Sequence, residues 1–475
     1  MINKDSGRLG YIIWLSFVAA LGGFLFGYDT AVISGTVDQV ATQFNLDDFG
    51  KGWYVGCALV GSIIGVLFAG PLSDRFGRKI VLLLSAILFS VSGLGCMVAA
   101  DEIQLITARI IGGVGIGVAS VISPLYIAEV SVPRYRGQLV SLYQLAITAG
   151  FLGAYLANYG LLNYSYSLLH AGAPQDLYHK IFATEAWRGM LGMEAVPALC
   201  FFLVLFLIPE SPRWLIVKGK ECQATLIMGR IYGEGEARRH LNNVKELVSS
   251  EVRSDWRLLF QPGFRMALFI GVALAMLGQF MGVNAVLYYG PSIFKESGLS
   301  SGDSLFYQVM VGLVNMLTTV LALAIIDRVG RKQLVYWGVS GMILTLFCIG
   351  WYFAFGTGWG LSSVFLLTFF LLYIFCCAIS ICAVIFVLLS EMYPVKVRGA
   401  AMSISGLSLW VGTYLIGQLT PWMLTRLTPA GTFWLFAIMC VPYLLIVWKL
   451  LPETTGKSLE EIEQMWINRS RKAKL

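Results

Sequence analysis

The stretch Asp74-Arg-Phe-Gly-Arg-Lys79 recurs later in the same chain as Asp327-Arg-Val-Gly-Arg-Lys332. Two further pairs of segments follow in the same order: Glu129 to Gly137 with Glu391 to Gly399, and Pro209-Glu-Ser211 with Pro452-Glu-Thr454. Matching segments that keep one order along a chain indicate an internal duplication. We therefore expect two similar halves.

Long apolar runs fill both halves. Hydrophobic residues make up 57% of the 475 residues and charged residues 13%, whereas soluble domains are about 25% charged. A run of about 20 apolar residues is long enough to cross a bilayer as a helix. Twelve such runs occur, at 11–35, 52–72, 80–99, 103–127, 138–161, 189–208, 266–293, 305–326, 334–354, 362–393, 399–422 and 432–451. Because the runs are too long and continuous for barrel strands, we expect an all-α membrane protein of twelve transmembrane helices, with lipid around it.

The duplication divides these helices into two pseudo-symmetric six-helix bundles, residues 1–208 and 266–451. The one long polar stretch, 209–265, has amphipathic patterns around 222–231 and 237–248 and is predicted to be a cytoplasmic helical linker. Residues 452–475 are a predicted cytoplasmic tail with a short amphipathic helix at 459–466. Parallel repeats of this kind place a substrate site between the halves, near the membrane midplane.

Lysine and arginine residues are concentrated in alternate connections. The even-numbered short connections contain Arg75, Arg78, Lys79, Arg134, Arg136, Arg328, Arg331, Lys332, Lys396 and Arg398. Because basic loops stay on the cytoplasmic side, both termini are predicted to be cytoplasmic. The same bias accounts for the net charge of +7. Basic residues dispersed in this way argue against nucleic-acid binding.

Three charged residues lie inside the predicted helices: Asp29 in helix 1, Arg109 in helix 4 and Glu194 in helix 6. Charges within a membrane are costly and usually mark function. Pairing with Arg109 favours the ionised form of Asp29, and separation favours the protonated form. A movement that parts them would load or release a proton, which makes the proton the expected coupling ion. The alternative is a static ion pair that holds helices 1 and 4 together.

Uncharged polar and aromatic side chains in the helices are candidates for binding a hydroxylated solute. Amides both donate and accept hydrogen bonds, and aromatic faces cover the apolar side of a sugar ring. The candidates are Phe26, Gln144, Gln279, Asn284, Tyr288, Asn315 and Trp410. For each amide, a hydrogen bond between helices is the competing interpretation.

The repeated loops are candidates for a gate. Their arginines are expected to reach carboxylates at neighbouring helix ends, with Glu129 and Glu391 as partners. Such ion pairs would hold the cytoplasmic side closed and part when it opens. The predicted members are Asp74, Arg78, Glu129, Arg136, Asp327, Arg331, Glu391 and Arg398. The alternative is that the basic residues serve only to orient the chain in the membrane.

These motifs together resemble the sugar porter family of the major facilitator superfamily. The resemblance is carried by the paired loops, by Arg109-Ile-Ile-Gly-Gly-Val-Gly115, Pro209-Glu-Ser-Pro-Arg213, Gln279-Phe-Met-Gly-Val-Asn284 and Pro452-Glu-Thr-Thr-Gly-Lys457, and it covers residues 11–465. The segment Gly22 to Gly35 is most similar to bacterial D-xylose–proton symporters. The resemblance implies the major facilitator fold and alternating-access symport of a monosaccharide. It also implies that Asp29 is the proton-coupling acid, with Arg109 and Glu194 beside it, and that the amides and Trp410 contact sugar.

Three positions depart from the family pattern. Gly278 replaces the first of two adjacent glutamines, Phe386 replaces a tryptophan expected to stack on sugar, and Leu409 replaces an amide before Trp410. Each lost hydrogen bond to a sugar hydroxyl is worth about 0.5–1.5 kcal/mol. We therefore expect Phe386 in the sugar site and a monosaccharide preference that differs from ordinary D-xylose or D-glucose.

Other functions are weaker interpretations. A facilitative sugar uniporter keeps the fold but leaves Asp29 structural, and a non-transporting sugar sensor usually has long cytoplasmic extensions. The nine cysteines and three histidines show no metal-type spacing, and no nucleophile–base–acid set suggests an enzyme. We expect a monomer in the bacterial inner membrane, with neither metal nor cofactor.

Overall fold

The computed structural model describes residues 2–171, 176–233, 235–239, 241–242, 259–356, 358–393 and 397–451. Within these ranges twelve helices are long and apolar enough to cross a membrane. We number them spans 1 to 12: Leu9–Gly35, Asp48–Phe76, Arg78–Val98, Glu102–Val130, Arg136–His170, Ala186–Leu205, Phe264–Glu296, Ser301–Ile326, Arg331–Gly356, Ser363–Leu389, Arg398–Arg426 and Thr428–Lys449. The prediction of twelve transmembrane helices is confirmed, and each span overlaps the apolar run predicted for it.

Several spans are interrupted. Span 6 consists of helices Ala186–Gly192 and Ala195–Leu205, and span 7 of Pro262–Phe280 and Val283–Glu296. Gly282, at φ 87°, adopts the left-handed conformation that lets span 7 break there. π-Helical turns end span 9 at Tyr352–Gly356 and interrupt span 10 at Ala378–Cys382. Interruptions of this kind are frequent at functional sites.

Short helices lie between the spans. Val37–Phe44 follows span 1, and Leu177–His179 with the π-helical Lys180–Thr184 precedes span 6. Pro212–Val217 and Glu221–Tyr232 lie in the polar stretch predicted to be a helical linker. The second predicted amphipathic segment, 237–248, is described only at 237–239 and 241–242, which are helical. The predicted tail, 452–475, lies outside the described residues.

The chain divides into two compact units. Of the described residues, those within 1–44 and 57–251 form unit 1, and those within 45–56 and 252–475 form unit 2. The first turns of span 2 therefore group with unit 2, where the Gln418 side-chain amide donates to the Phe49 carbonyl at 3.0 Å.

Glycines bring the helices of unit 1 into close contact. A side chain added at Gly27 of span 1 would collide with the Ile147 carbonyl of span 5, and one at Gly150 would collide with the Phe24 carbonyl. In lipid the hydrophobic effect does not drive helices together, so van der Waals contact does much of this work, and small residues let the helix backbones approach closely enough to make it. Span 1 is thus held against span 5, and this fixes where the polar face of span 1 points.

We expect Gly27→Ala to lower the free energy of unfolding by about 1–3 kcal/mol, because the added methyl overpacks the contact between spans 1 and 5. Denaturant unfolding of the detergent-solubilised protein measures the loss. Gly160→Ala, also in span 5, is the matched control, since nothing lies within 4 Å of its added methyl. Equal stability of the two variants would contradict the close-contact interpretation.

Candidate functional site

Three charged side chains meet in the interior of unit 1. Arg109 Nη1 of span 4 lies 2.5 Å from Asp29 Oδ1 of span 1. Glu194, at the interruption of span 6, lies within electrostatic range of both and within hydrogen-bonding range of Asp29. The exposed fractions of Asp29, Arg109 and Glu194 are 0%, 2% and 1%. The three residues that the sequence singled out as intramembrane charges are therefore neighbours.

This triad has an unbalanced charge. Two carboxylates face a single guanidinium, so one negative charge is left over if both acids are ionised. Asp29 Oδ2 and Glu194 Oε1 have no hydrogen-bond partner among the described residues. An uncompensated charge in a low-dielectric interior costs several kcal/mol, and binding one proton removes it. The arrangement is chemically suited to holding a proton between two acids.

Two sugar-site candidates lie near this triad along spans 1 and 5. Phe26, half-buried, precedes Asp29 by one turn, and its carbonyl accepts a hydrogen bond from the Thr30 hydroxyl at 2.6 Å. Gln144 of span 5 is half-buried, and no hydrogen bond joins its amide to another described residue. Its donor and acceptor atoms are thus available for a ligand.

A polar cluster lies at the break of span 7 in unit 2. The Asn284 amide donates to Gln279 Oε1 at 2.7 Å across the break. The Thr413 hydroxyl of span 11 donates to the same oxygen at 3.1 Å. Gln279 is thereby held between two helices with its amide nitrogen left to donate. The break at Gly282 is what allows residues five apart to share this bond.

The remaining sugar-site candidates of unit 2 lie on several spans. Tyr288 and Asn315 are buried, and Trp410 is 9% exposed, three residues before Thr413. A side-chain carbon at Gly278 would lie 3.5 Å from Ile381, an ordinary contact distance, so the missing side chain leaves room for one atom at least. Leu409 is half-buried. The side chain of Phe386 lies outside the described part of the chain.

The loop between spans 2 and 3 is built around the Glu210 carboxylate. Glu210 Oε1 accepts hydrogen bonds from the backbone N–H groups of Arg78 at 2.9 Å and Lys79 at 3.2 Å. It thus caps the first turn of span 3, where the helix dipole favours negative charge. Gly77, at φ 99°, lies against this carboxylate, and a side chain there would collide with it. Burial raises the pKa of Glu210, and the hydrogen bonds from the backbone of Ser211, Lys79 and Arg78 oppose that shift.

Arg78 forms a bidentate ion pair with Glu129. Arg78 Nε lies 2.9 Å from Glu129 Oε2, and Nη2 lies 3.0 Å from Oε1. The Ser211 hydroxyl donates to the same carboxylate at 2.5 Å. Asp74 is a more distant partner of Arg78, at 3.4 Å, and its side chain is 78% exposed. Parallel bonds from a planar guanidinium are the strongest form of such a pair.

Unit 2 repeats the ion pair between an arginine and a glutamate. Arg331 Nη2 lies 3.0 Å from Glu391 Oε1. Arg398 donates instead to the Tyr393 carbonyl, at 3.3 Å. In unit 1 the exposed Arg136 forms no ion pair with Glu129 among the described residues, and it lies near Tyr232. The side chain of Asp327 is not among those described.

Comparison with known proteins places this geometry in a family. The family model described as "Sugar (and other) transporter" matches residues 15–466. The chain belongs to this sugar transporter family. Its similarity to the arabinose-proton symporter of Bacillus subtilis is 39% identity, covering 97% of this chain and 96% of that protein. Its similarity to the D-xylose-proton symporter of Escherichia coli is 37% identity, covering 96% of each.

Solved structures agree with the sequence relatives. The inward open xylose transporter of E. coli superposes on this transporter with a TM-score of 0.81 and 35% identity, covering 96% of this chain and 100% of that one. The major facilitator superfamily proton:xylose symporter bound to 6-bromo-6-deoxy-D-glucose gives a TM-score of 0.76 at 35% identity, covering 97% and 100%. The predicted sugar porter family and major facilitator fold are both confirmed. These relatives are transporters and not enzymes.

Sequence reasoning missed three residues of the transporter's polar clusters. Thr413, Glu210 and Ser211 were not assigned roles, although Glu210 and Ser211 lie in a repeated segment. That repetition is a signal that would have singled them out. Thr413 carries no comparable signal, because a threonine one turn after Trp410 is ordinary in a membrane helix. Among the described residues no group of three or more metal-binding side chains occurs.

We expect Arg78→Ala to destabilise the transporter by about 3–5 kcal/mol, because it leaves the Glu129 carboxylate buried without its partner. Arg331→Ala is the matched control in the second repeat. Its carboxylate partner is 26% exposed, against 5% for Glu129, so water compensates more of the loss. Thermal unfolding in detergent compares the two. Equal destabilisation would show that burial does not set the strength of these pairs.

Proposed function

We propose that this protein is a proton-coupled monosaccharide symporter that works by alternating access. The observation that carries the proposal is the buried triad of Asp29, Arg109 and Glu194, with one guanidinium for two acids. A carrier that must cross the membrane both with and without a proton needs a site whose charge changes by one. Named relatives are proton symporters of arabinose and D-xylose, which supports the same coupling ion here.

The triad couples proton binding to the conformational change because the ion pair between Asp29 and Arg109 can separate. While Arg109 contacts Asp29, the guanidinium balances one of the two buried carboxylates. When a conformational change moves the guanidinium away, two acids are left without a counter-charge, and a proton held between Asp29 and Glu194 offsets part of that cost. Sugar binding would be linked to this step because Phe26 lies on the same helix, one turn from Asp29.

The substrate we propose is a pentose or hexose similar to D-xylose. Gln144 in unit 1 and Gln279 with Asn284 in unit 2 supply amides, and Trp410 supplies an aromatic face; Phe26, Tyr288, Asn315 and Phe386 complete the proposed set. Gly278 and Leu409 remove two polar side chains from this surface. We propose that the preferred sugar is accordingly another pentose, a deoxyhexose or a related polyol, in place of ordinary D-xylose or D-glucose.

The paired loop clusters are proposed to stabilise one side of the transporter in its closed state. Arg78 with Glu129 and Arg331 with Glu391 are the ion pairs that support this role, and we add Glu210 and Ser211 to the predicted members. Ion pairs at helix ends suit a gate because opening exposes both partners to water, which lowers the cost of separating them.

We propose a monomer in the bacterial inner membrane with both termini in the cytoplasm. The basic residues of the repeated loops support this orientation. The polar stretch 209–265 would then be a cytoplasmic linker between bundles at 1–208 and 266–451, and 452–475 a cytoplasmic tail.

A facilitative sugar uniporter is the second candidate. The observation in its favour is that the Asp29–Arg109 pair is fully buried at 2.5 Å, which also suits a static lock between spans 1 and 4. The second buried acid, Glu194, argues against it, since a static lock between Asp29 and Arg109 gains nothing from that residue.

Under an acid-outside pH gradient in proteoliposomes, we expect the wild-type protein to concentrate its sugar and Asp29→Asn only to equilibrate it. A panel of pentoses, hexoses, deoxyhexoses and polyols first identifies that sugar. Sugar exchange without a gradient shows that Asp29→Asn is folded and binds. Asp303→Asn, at the exposed start of span 8, is the control. An Asp29→Asn protein that still concentrates sugar would rule out the proton role.

Thr413→Val is expected to raise the KM for the transported sugar by about two- to tenfold, because Gln279 loses one of the bonds that orient it. Thr420→Val is a matched control on the same span, since its hydroxyl bonds only the Ile416 carbonyl of its own helix. Uptake kinetics measure both. If the two variants have the same KM, the orientation of Gln279 by Thr413 does not contribute to sugar binding.

A further inference from the structure

Two thiols meet at the π-helical turn of span 10. Cys377 Sγ lies 3.6 Å from Cys382 Sγ. Residues five apart point in different directions on an α-helix, which has 3.6 residues per turn. The π turn at Ala378–Cys382 widens the helix so that residues i and i+5 lie above one another. The contact therefore exists only because span 10 is irregular at this point.

The irregular turn is supported by its surroundings. The Ser380 hydroxyl donates to the Cys376 carbonyl at 2.5 Å and thereby satisfies a backbone group near the turn. Gly338 of span 9 makes room for Ser380, since a side chain there would collide with it. Backbone irregularity in a membrane helix persists where neighbours satisfy the freed groups. The two thiols are thus held close together by a π-helical turn that neighbouring residues stabilise.

The spacing of the two sulfurs suits capture by one atom. Two sulfurs bonded to one atom at about 2.3 Å each, a typical metal–sulfur bond length, can lie at most about 4.6 Å apart, and the 3.6 Å observed here is within that limit. Thiolates prefer soft partners. Cys377 is 1% exposed and Cys382 is half-buried, so the pair is accessible from one side to a small apolar reagent.

We infer that Cys377 and Cys382 form a dithiol site for soft electrophiles that bind two sulfurs at once. The chemical class we assign to it is the trivalent arsenicals. An arsine oxide condenses with both thiols. The two S–H bonds and the As–O bond break, two As–S bonds form, and the oxygen leaves as water with both thiol protons. Arsenic remains trivalent, so no oxidant or reductant takes part.

The site borders the polar break of span 7. One turn before Cys377, the Tyr373 hydroxyl donates to the Met281 carbonyl at that break, at 2.8 Å. Next to Cys382, Ile381 packs against Gly278. A ring closed through the two sulfurs would clamp the turn that contacts this break. Inhibition of sugar uptake is the functional consequence, and only that part rests on the proposed function.

The binding test uses the purified full-length protein and phenylarsine oxide. We expect one adduct by intact mass and a fall in alkylatable thiols from nine to seven. Cys382→Ala and, separately, Cys377→Ala are expected to lose the adduct. Cys376→Ala, Cys96→Ala and Cys440→Ala are controls that keep it. An adduct that survives in both test variants, or is absent from the wild-type protein, overturns the site.

The functional test measures sugar uptake by proteoliposomes after the same treatment. We expect at least tenfold loss of uptake, restored by 2,3-dimercaptopropanol but not by a monothiol at equal thiol concentration, and no loss in Cys382→Ala. Failure of the untreated protein to transport any sugar would contradict the proposed function and leave the adduct result standing. Normal sugar uptake by protein that carries the full adduct would contradict the inference that closing the ring restrains the turn next to the break of span 7.

Discussion

Burial of three charges in an apolar bundle is the constraint around which unit 1 is organised. Asp29, Arg109 and Glu194 come from three different spans, and neither Asp29 nor Arg109 is tolerable as a charge in the interior without a partner of opposite charge. Close helix packing supplies the geometry: Gly27 and Gly150 let spans 1 and 5 touch, which holds Asp29 in place. Uncharged backbone contacts thus help to position Asp29 for its ion pair with Arg109 at 2.5 Å.

Several of the polar contacts in this transporter are found where helices are interrupted. Glu194 lies at the interruption of span 6, Gln279 and Asn284 lie on either side of the break in span 7, and the Cys377–Cys382 pair encloses the π turn of span 10. An interrupted helix frees backbone groups and changes the direction of side chains. Both effects place donors and acceptors where a continuous helix would bury them in its own hydrogen bonds or turn them toward lipid.

The duplicated loops show how two copies of one motif diverge. Each copy pairs an arginine with a glutamate, and in the first copy the Ser211 hydroxyl also donates to that carboxylate while Glu210 caps the following helix. The first pair is bidentate and nearly buried, and the second is partly exposed. The first pair is therefore the more buried of the two, although the loop sequences are nearly identical.

The sequence by itself determined the twelve spans, the family and the identity of the intramembrane charges. The length of an apolar run and the presence of a charged residue within it can be read directly from the sequence. Neither depends on which helices pack together. Only the tertiary structure decided that Thr413 bonds Gln279, that Glu210 caps span 3, that Arg136 does not join Glu129, and that Cys377 meets Cys382. These contacts depend on the register of one helix against another and on turns that depart from the α-helix, because a shift of one residue rotates a side chain by about 100°.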